Sequence, residues 1–293
     1  METLRIHLFG GFLLERGGVA LPPIASRAGR SLFAYLVMHP DRPLNRELVA
    51  GVFWSELSET RARRRLSHTL WQIQDVVNTS TSSYLNLATD TLAFDTQTPI
   101  WLDVDEFDRH YAISEGSPAD SHVATSYRAS VLRTCVDLYR GDFLAGYFDD
   151  WVVVEQDHYR QRYLTALSRL IEATKSAGAY EEALAYARRM THHDPLSEEA
   201  HREVMRLCFL LGRTGDAVEQ FRRCRSVLEE DLGAEPSPAT IELYERIIKQ
   251  RRAGIRVGAG DTQPRLTVRS DSPFVGREDE RRLLVDAVER VLA

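Results

Sequence analysis

The sequence lacks the long apolar segments, the signal peptide and the clustered cysteines that mark membrane, secreted and metal-binding proteins. No apolar run approaches the roughly 20 residues of a membrane-spanning helix, and the N-terminal METLRIHLFGG does not place a basic segment before an apolar one. The three cysteines, Cys135, Cys208 and Cys224, are far apart in helical patterns and form no CxxC pair. We therefore expect buried, reduced thiols in a cytoplasmic chain without a metal, a cofactor or a membrane partner.

An overall excess of positive charge is also missing, because the 293 residues carry a net charge of −6. The charge is unevenly distributed along the chain. Residues 1–78 contain ten arginines against seven acidic residues, so they carry +3 and the rest of the chain carries −9. A basic N-terminal region on an acidic body indicates that only the N-terminal region faces phosphate, because counterion release depends on local charge.

Strand-like and helix-like patterns alternate over the first hundred residues. The strands are predicted at 4–8 and 12–14, and the helices at 28–38, directly after a capping Asn45, and at roughly 59–78. The apolar side of the second helix is predicted to consist of Leu48, Val49, Val52 and Phe53. Two apolar segments, 84–87 and 91–94, bracket Ala88-Thr89-Asp90 and predict a β-hairpin. This order indicates an α+β N-terminal winged helix-turn-helix domain at 1–99.

The third helix is amphipathic. At about 100° per residue, the side that we expect to be buried consists of Ala62, Leu66, Thr69, Leu70, Ile73 and Val77. The opposite side consists of Arg61, Arg64, His68, Trp71 and Asp75 and is flanked by Arg65 and Gln72. Four arginines within 61–65 put positive charge near the N-terminal end, where a recognition helix meets base edges. Arginine pairs with guanine and with phosphate, so this side is either a DNA-binding surface or an ordinary solvated face. The predicted DNA-binding residues are Arg61, Arg63, Arg64, Arg65, His68 and Gln72 in the helix and Thr89 and Thr91 in the hairpin.

The hairpin and the polar side of the third helix each have one unusual feature. The hairpin tip contains no arginine or lysine, so we expect only polar contacts with the DNA backbone from Thr89 and Thr91. Trp71 is a large aromatic residue on a polar helix side, and it suits a contact with a neighbouring domain or with the DNA backbone. Of these two, we expect the domain contact.

From Asp103 onward the pattern is almost wholly helical and contains a repeat. Gly178 and Gly212 are 34 residues apart, and so are Ala183 and Ala217. A period of 34, with Gly-x-Tyr-x-x-Ala in the first copy and a proline at its end, is typical of tetratricopeptide repeats. Such repeats mostly bind partners or pack domains. The sequence therefore predicts an all-α tetratricopeptide-like domain at 100–252.

Several segments together resemble the bacterial transcriptional activator domain architecture of Streptomyces antibiotic regulatory protein-type activators. The resemblance covers roughly 1–250 and rests on LRIHLFGGF at the start, RARRRLSHTLWQIQ in the third helix, WLDVDEF at 101–107, LYRGDFL at 138–144 and LEEDLGAEPSPATIELYERI at 228–247. It implies a winged helix similar to that of response-regulator effectors, which binds direct repeats in double-stranded DNA near a promoter. It further implies a homodimer, recruitment of RNA polymerase holoenzyme, and a recognition helix that uses Arg61, Arg64, Arg65, His68 and Gln72.

The C-terminal residues predict a linker and the start of another domain. Residues 253–272 lose apolar periodicity and are typical of a linker. SPFVGREDERRLL at 272–284 resembles the entry to the nucleotide-binding domain of longer family members, so 273–293 is predicted to be the start of a truncated nucleotide-binding domain. No phosphate-binding GxxxxGK[ST] loop occurs in the chain, so we expect no ATP hydrolysis from it.

Two other classes of function are weaker alternatives. A metal site formed by His192, His193 and His201 is conceivable, but adjacent histidines point in different directions on a helix, which favours ordinary surface histidines. The second alternative is an interaction module, in which the repeats bind a protein or an unidentified small-molecule effector and the winged helix does not bind DNA. The sequence thus favours a DNA-binding transcription regulator that is not an enzyme.

Overall fold

The chain forms two compact units, Met1–Ala166 and Leu167–Ala293. The computed structural model describes 3–40, 42–80, 82–95, 97–116 and 122–257, and of 122–125 and 252–257 it describes the backbone only. The elements of the first unit are β1 (Leu4–His7), β2 (Leu13–Arg16), β3 (Val19–Ala20), α1 (Arg27–Val37), β4 (Leu44–Asn45), α2 (Arg46–Phe53), α3 (Glu59–Val77), β5 (Leu85–Leu87), β6 (Thr91–Phe94), β7 (Ile100–Leu102), α4 (Asp103–Gly116) and α5 (His122–Leu138). The elements that follow are α6 (Asp150–Ser176), which begins in the first unit, and then α7 (Tyr180–His193), α8 (Glu198–Leu210), α9 (Thr214–Leu232) and α10 (Pro238–Val257).

The first sheet is built around β1, in the strand order β3-β2-β1-β7. β1 is antiparallel to β2 and parallel to β7, with Leu4 opposite Ile100 and Ile6 opposite Leu102. Leu4 and Ile6 are completely buried, so this sheet contributes directly to the core. The sequence patterns predict no strand at β7, because three residues are too few to display a period. Residues beyond 99 therefore complete the N-terminal sheet.

Helices α1, α2 and α3 and a second sheet form the rest of the winged helix. The second sheet has the order β4-β6-β5. Its hairpin pairs Leu85 with Phe94, and the short strand β4 adds Leu44 opposite Leu92. The predicted α+β winged helix-turn-helix fold, including the hairpin, is confirmed. The apolar side of α3 is also the predicted one, since its buried residues are Ala62, Leu66, Thr69, Leu70, Ile73 and Val77.

Only part of the prediction for α2 is correct. Asn45 caps the helix as expected, and its side-chain oxygen accepts a hydrogen bond from the backbone N–H of Leu48 at 3.2 Å. The predicted apolar side is wrong, because Leu48 and Val52 are 72% and 55% exposed while Val49 and Ala50 are buried. An eight-residue helix makes only about two turns. A small rotation of the helix about its axis therefore moves half of its apolar residues from the buried side to the surface.

The segment between α5 and α6 packs on the winged helix within the first unit. The backbone N–H of Gly10 donates to the carbonyl oxygen of Asp142 at 3.0 Å, and Phe9 forms an isolated antiparallel bridge with Phe143. On α1, the Nε of Arg30 donates to the Tyr147 hydroxyl at 2.7 Å. These contacts explain why α4, α5 and the start of α6 share a compact unit with the winged helix.

The second unit has the predicted tetratricopeptide-like geometry. Gly178 and Gly212 both have φ of +73°, a left-handed conformation that favours glycine. The backbone N–H of each donates to the carbonyl oxygen three residues earlier, at 2.8 and 2.9 Å respectively. Ala183 and Ala217 are completely buried, which lets neighbouring helices approach closely. The period of 34 in the sequence is therefore a period in the backbone as well.

The predicted domain boundaries and the compact units divide the chain in different ways. The predicted domains, 1–99 and 100–252, follow the change from strands to helices. The first compact unit instead extends to Ala166, because α4 packs on β1 and β7 and α5 packs on α4. The predicted linker at 253–272 overlaps the last residues of α10, which ends at Val257. The rest of that linker and the predicted domain start at 273–293 lie outside the described residues.

Candidate nucleic-acid interface

Helix α3 presents one buried and one exposed side, and the exposed side carries the predicted DNA-binding residues. The helix begins after Ser58 and runs for 19 residues without glycine or proline. Leu66 and Ile73 are completely buried, which fixes the rotation of the helix about its axis. Because the buried side is fixed, residues half a turn away must face solvent. The exposed residues among the predicted set in α3 are Arg61, Arg63, Arg64, Arg65 and His68, and Gln72 is half-buried.

The four arginines at the start of α3 are not equivalent. Arg63 forms ion pairs with Glu47 of α2 and, at 2.8 Å, with Glu59 one turn earlier in α3. By contrast, within the described residues no ion pair or side-chain hydrogen bond is found for the guanidinium groups of the other three, Arg61, Arg64 and Arg65. Three positive charges at the N-terminal end of α3 are thus uncompensated, and Arg63 ties α3 to α2.

Arg46 is a basic residue of the same surface that the sequence patterns did not select. Its Nη2 donates to the Ser67 hydroxyl of α3 at 3.1 Å. Its backbone N–H donates to the carbonyl oxygen of Asp90 in the hairpin at 3.0 Å. Arg46 therefore links α2, α3 and the hairpin tip. Its position directly after the capping Asn45 was the available signal, but the contact with α3 crosses 21 residues of sequence.

The hairpin of β5 and β6 supplies the remaining predicted residues. Thr89 is exposed at the tip and Thr91 is half-buried at the start of β6. The tip closes through the backbone N–H of Ala88, which donates to the Thr91 carbonyl oxygen at 2.9 Å. At the other end of the hairpin, the Thr98 hydroxyl donates to Asp95 at 2.6 Å and lowers the pKa of that carboxyl. The hairpin thus presents hydroxyl groups, without basic side chains, beside the start of α2.

A small aromatic cluster follows the arginines on α3. The rings of His68 and Trp71 are stacked, with centroids 6.1 Å apart and an angle of 15° between their planes. Trp71 is 60% exposed, so the expected contact with a neighbouring domain is absent from the described residues. Trp71 instead lies beside His68, because the two are three residues apart on one helix side.

The histidines considered as metal ligands do not form a metal site. Among the described residues no group of three histidine, cysteine or acidic side chains is placed to hold a metal ion, and no helix is long and apolar enough to cross a membrane. The prediction that His201 is an exposed surface residue is wrong, because it is only 4% exposed. Its Nε2 is 2.9 Å from the carbonyl oxygen of Pro195 and its Nδ1 is 2.7 Å from the amide nitrogen of Gln220. Both ring nitrogens are therefore used in packing α8 against its neighbours.

The sequence matches a family model and several known regulators. The model described as "Bacterial transcriptional activator domain" matches residues 102–248. The regulatory protein AfsR of Streptomyces coelicolor is 25% identical over 165 residues, which cover 54% of this chain and 17% of AfsR. The regulatory protein DnrI of Streptomyces peucetius is 23% identical over 263 residues, which cover 84% of this chain and 92% of DnrI. The matched part is thus less than a fifth of AfsR and most of DnrI.

A solved structure has a similar fold. The structure of Mycobacterium tuberculosis EmbR in complex with low affinity phosphopeptide matches with a TM-score of 0.65 and 20% identity, over 89% of this chain and 70% of that chain. The fold similarity extends across both the winged helix and the helical repeats, and the family match covers half of the sequence. The chain therefore belongs to the bacterial transcriptional activator domain family, among the transcriptional regulators of the Streptomyces antibiotic regulatory protein type.

Proposed function

We propose that this chain binds promoter DNA through the exposed side of α3 and activates transcription from there. The observation that carries the proposal is the group of three uncompensated arginines, Arg61, Arg64 and Arg65, at the N-terminal end of an exposed helix side. Charges without a partner in the protein are available to phosphates and to base edges in the major groove. The buried side of α3 fixes the side of the helix from which they project, so the helix does not have to rotate on binding.

In this proposal the four arginines of α3 have different roles. Arg64 lies opposite the buried side and reads a base edge, while Arg61 and Arg65 flank it and bind phosphate. Arg63 positions α3 through its pairs with Glu47 and Glu59, because a guanidinium held by two carboxylates is less available to DNA.

The hairpin contributes to positioning on the DNA backbone. Thr89 and Thr91 supply hydroxyl groups, and Arg46, whose backbone N–H is bonded to the hairpin tip, supplies a positive charge beside Ser67 of α3. Phosphate contacts of this kind set the register of a protein on the duplex and carry no sequence information.

The partners follow from the family and not from a contact within the chain. We propose a cytoplasmic homodimer that occupies direct repeats and recruits RNA polymerase holoenzyme, and that has no enzymatic activity of its own. The competing proposal is an interaction module whose repeats bind a protein or effector. The uncompensated arginines favour the DNA-binding regulator, because they lie on α3 and not in the repeats, where the interaction module would bind its partner.

The test is a fluorescence-anisotropy titration of the chain against duplex DNA from its own promoter region and against a scrambled duplex, at two salt concentrations. We expect tighter binding to the promoter duplex and a salt-dependent affinity, with a slope of about −0.9 per phosphate contact. The triple variant Arg61→Ala/Arg64→Ala/Arg65→Ala should lose this binding. The matched control is Arg222→Ala/Arg223→Ala/Arg225→Ala, which removes three exposed arginines from α9 and should keep it. Equal losses in both triple variants would contradict the proposal.

A further inference from the structure

A chain of hydrogen bonds runs from the start of α1 to the exposed side of α3. The backbone N–H of Gly29 donates to the Ser26 hydroxyl oxygen at 3.0 Å, which is the N-cap bond of α1. The Ser26 hydroxyl donates to Oε1 of Gln72 at 3.2 Å. Nε2 of Gln72 then lies 3.3 Å from Nε2 of His68. The last member, His68, is exposed on the proposed DNA-binding surface.

The orientation of the Gln72 amide, with Oε1 toward Ser26 and Nε2 toward His68, decides where the proton on His68 lies. An amide NH₂ group is a donor only, so Nε2 of His68 must be the acceptor in its contact with Gln72. A neutral imidazole has one donor and one acceptor nitrogen, so the proton lies on Nδ1. His68 is therefore held as an oriented hydrogen-bond donor.

Gln72 differs from His68 because both polar atoms of its side chain are already hydrogen-bonded within the protein. Its carbonyl oxygen is used by Ser26 and its amide nitrogen by His68, and its side chain is half-buried. A glutamine that reads adenine needs both ends of its amide free for one base. The structure thus gives Gln72 the role of a positioning residue and leaves His68 as the group that faces the groove.

We infer that His68 is a specificity-determining residue that donates from Nδ1 to an acceptor on a base edge, and that Gln72 and Ser26 select the required tautomer. This inference rests on the proposed DNA-binding function. In the major groove guanine presents two acceptors, N7 and O6, whereas cytosine presents a donor. Adenine N7 and thymine O4 are acceptors as well, so His68 disfavours cytosine at the position that it contacts, and of the three other bases guanine offers the largest number of acceptors.

The tautomer is measured directly by long-range ¹H–¹⁵N NMR spectroscopy of histidine in the free protein. The protein contains a reference histidine for each tautomer. Nδ1 of His39 donates to the carbonyl oxygen of Tyr35 at 2.7 Å, and Nε2 of His201 donates to the carbonyl oxygen of Pro195 at 2.9 Å. We expect His68 to show the pattern of His39. In Gln72→Glu, whose carboxylate can only accept, His68 should change to the pattern of His201. An Nε2-protonated His68 in the unsubstituted protein would overturn the inference.

The effect on specificity is measured with promoter duplexes in which each base pair of the site is varied in turn. His68→Ala should lose about 3- to 10-fold of discrimination at one base pair, the range expected for one hydrogen bond. Gln72→Leu, which keeps the shape of the side chain, should relax discrimination at that same base pair, and the double variant should lose no more than His68→Ala. Gln74→Leu is the matched control, since Gln74 lies about 200° around the helix from Gln72, and it should have no effect there.

The outcomes separate this inference from the proposed function. If the unsubstituted protein does not discriminate between promoter and scrambled DNA, the proposed function fails and the role of His68 in base reading fails with it, while the tautomer is still decided by NMR. If the unsubstituted protein discriminates but His68→Ala and Gln72→Leu affect different base pairs, Gln72 reads its own base. In that case the inference fails and the proposed function stands.

Discussion

The backbone N–H of Leu8 donates to both carboxylate oxygens of Asp103, at 3.0 and 2.9 Å, although 95 residues of sequence separate them. The N–H of Phe9 donates to the same carboxylate at 3.0 Å. Asp103 is only 1% exposed, and burial raises the pKa of its carboxyl above the usual value. The first residue of α4 thus satisfies two backbone donors at the end of β1, where the winged helix meets the helical part of the first unit.

We expect Asp103→Asn to destabilise the protein by about 1–3 kcal/mol, since the new amide NH₂ is a donor that faces two backbone donors. The free energy of unfolding is measured by urea denaturation, with tryptophan fluorescence as the readout. Asp105→Asn is the control, because Asp105 is exposed on the same helix, and its effect should remain within about 0.5 kcal/mol. Equal changes in the free energy of unfolding for the two substitutions would show that the buried hydrogen bonds of Asp103 do not contribute to stability.

The effect of Asp103→Asn should depend on pH. A folded-state pKa above the unfolded value means that the folded protein binds this proton more tightly than the unfolded chain does. The stabilisation linked to the proton is complete below about pH 3.8, the ordinary value for this carboxyl, and is lost as the pH rises through the raised folded-state pKa. The stability difference between unsubstituted protein and Asp103→Asn should therefore decrease from about pH 3.5 to pH 7. A difference that increases with pH contradicts this assignment.

The sequence predicts elements that are long or that carry their own local signals. Helix α3 shows several turns of helical period, and the capping Asn45 lies next to the helix that it caps. Elements defined by distant partners could not be predicted. Strand β7 has three residues and exists because β1 lies beside it, and the buried hydrogen bonds of Asp103 join residues 95 positions apart. In each case the missing information is a contact in space between separate segments.

In the candidate site, too, local patterns could be predicted from the sequence and contacts between separate segments could not. The exposed side of α3 could be read from helical period alone, so its arginines were found together. The pair of Arg63 with Glu59 has the i,i+4 spacing that a sequence shows, but the pair with Glu47 could not be predicted, because Glu47 is on another helix, 16 residues before Arg63. The roles of Arg46 and Gln72 depend likewise on contacts with α3 and with the start of α1 that no local pattern contains.

Gly141→Ala should destabilise the first unit by about 1–3 kcal/mol. Gly141 has φ of +151°, and a Cβ there would lie 3.1 Å from the Cα of Gly10, so backbone would have to move. Gly11→Ala is a control with matched conformation, since Gly11 has φ of +142° but nothing within 4 Å of its Cβ position. Thermal unfolding of both variants separates backbone strain from close approach. A drop in Tm no larger for Gly141→Ala than for Gly11→Ala argues against a tight contact between the two chain segments.

The three cysteines should resist alkylation in the folded protein. All are buried, and burial raises the pKa of Cys135 to about 12 and that of Cys224 to about 11. Because the thiolate is the reactive form, iodoacetamide at about pH 8 should modify none of them within the time that labels free cysteine completely. Mass spectrometry before and after addition of guanidinium chloride should show zero and three additions respectively. Rapid labelling of Cys135 without denaturant would mean that α5 opens readily.

The last prediction compares two neighbouring arginines of α3, and it tests whether an internal ion pair removes an arginine from DNA binding. Arg64 has no partner among the described side chains, whereas Arg63 is paired with Glu47 and Glu59. We expect Arg64→Ala to weaken promoter binding by about 1–3 kcal/mol and to relax specificity at one base pair, as for a residue that reads a base. Loss of affinity for all sequences alike would instead make it a phosphate contact.

Arg63→Ala should reduce promoter affinity less than Arg64→Ala and leave the salt dependence almost unchanged, because its charge is already neutralised. It should lower the free energy of unfolding instead, by up to about 1 kcal/mol, since both of its ion pairs are exposed. The informative third variant is Glu47→Gln, which releases one partner of Arg63 without a change in shape. If the ion pair with Glu47 keeps Arg63 from binding DNA, Glu47→Gln should strengthen DNA binding and make its salt dependence steeper. The double variant Glu47→Gln/Arg63→Ala should not show this increase in affinity. Unchanged DNA affinity and salt slope in Glu47→Gln would leave two explanations. Either the ion pair with Glu59 alone keeps Arg63 from binding DNA, or the ion pairs do not govern its access to DNA. Glu59→Gln decides between the two.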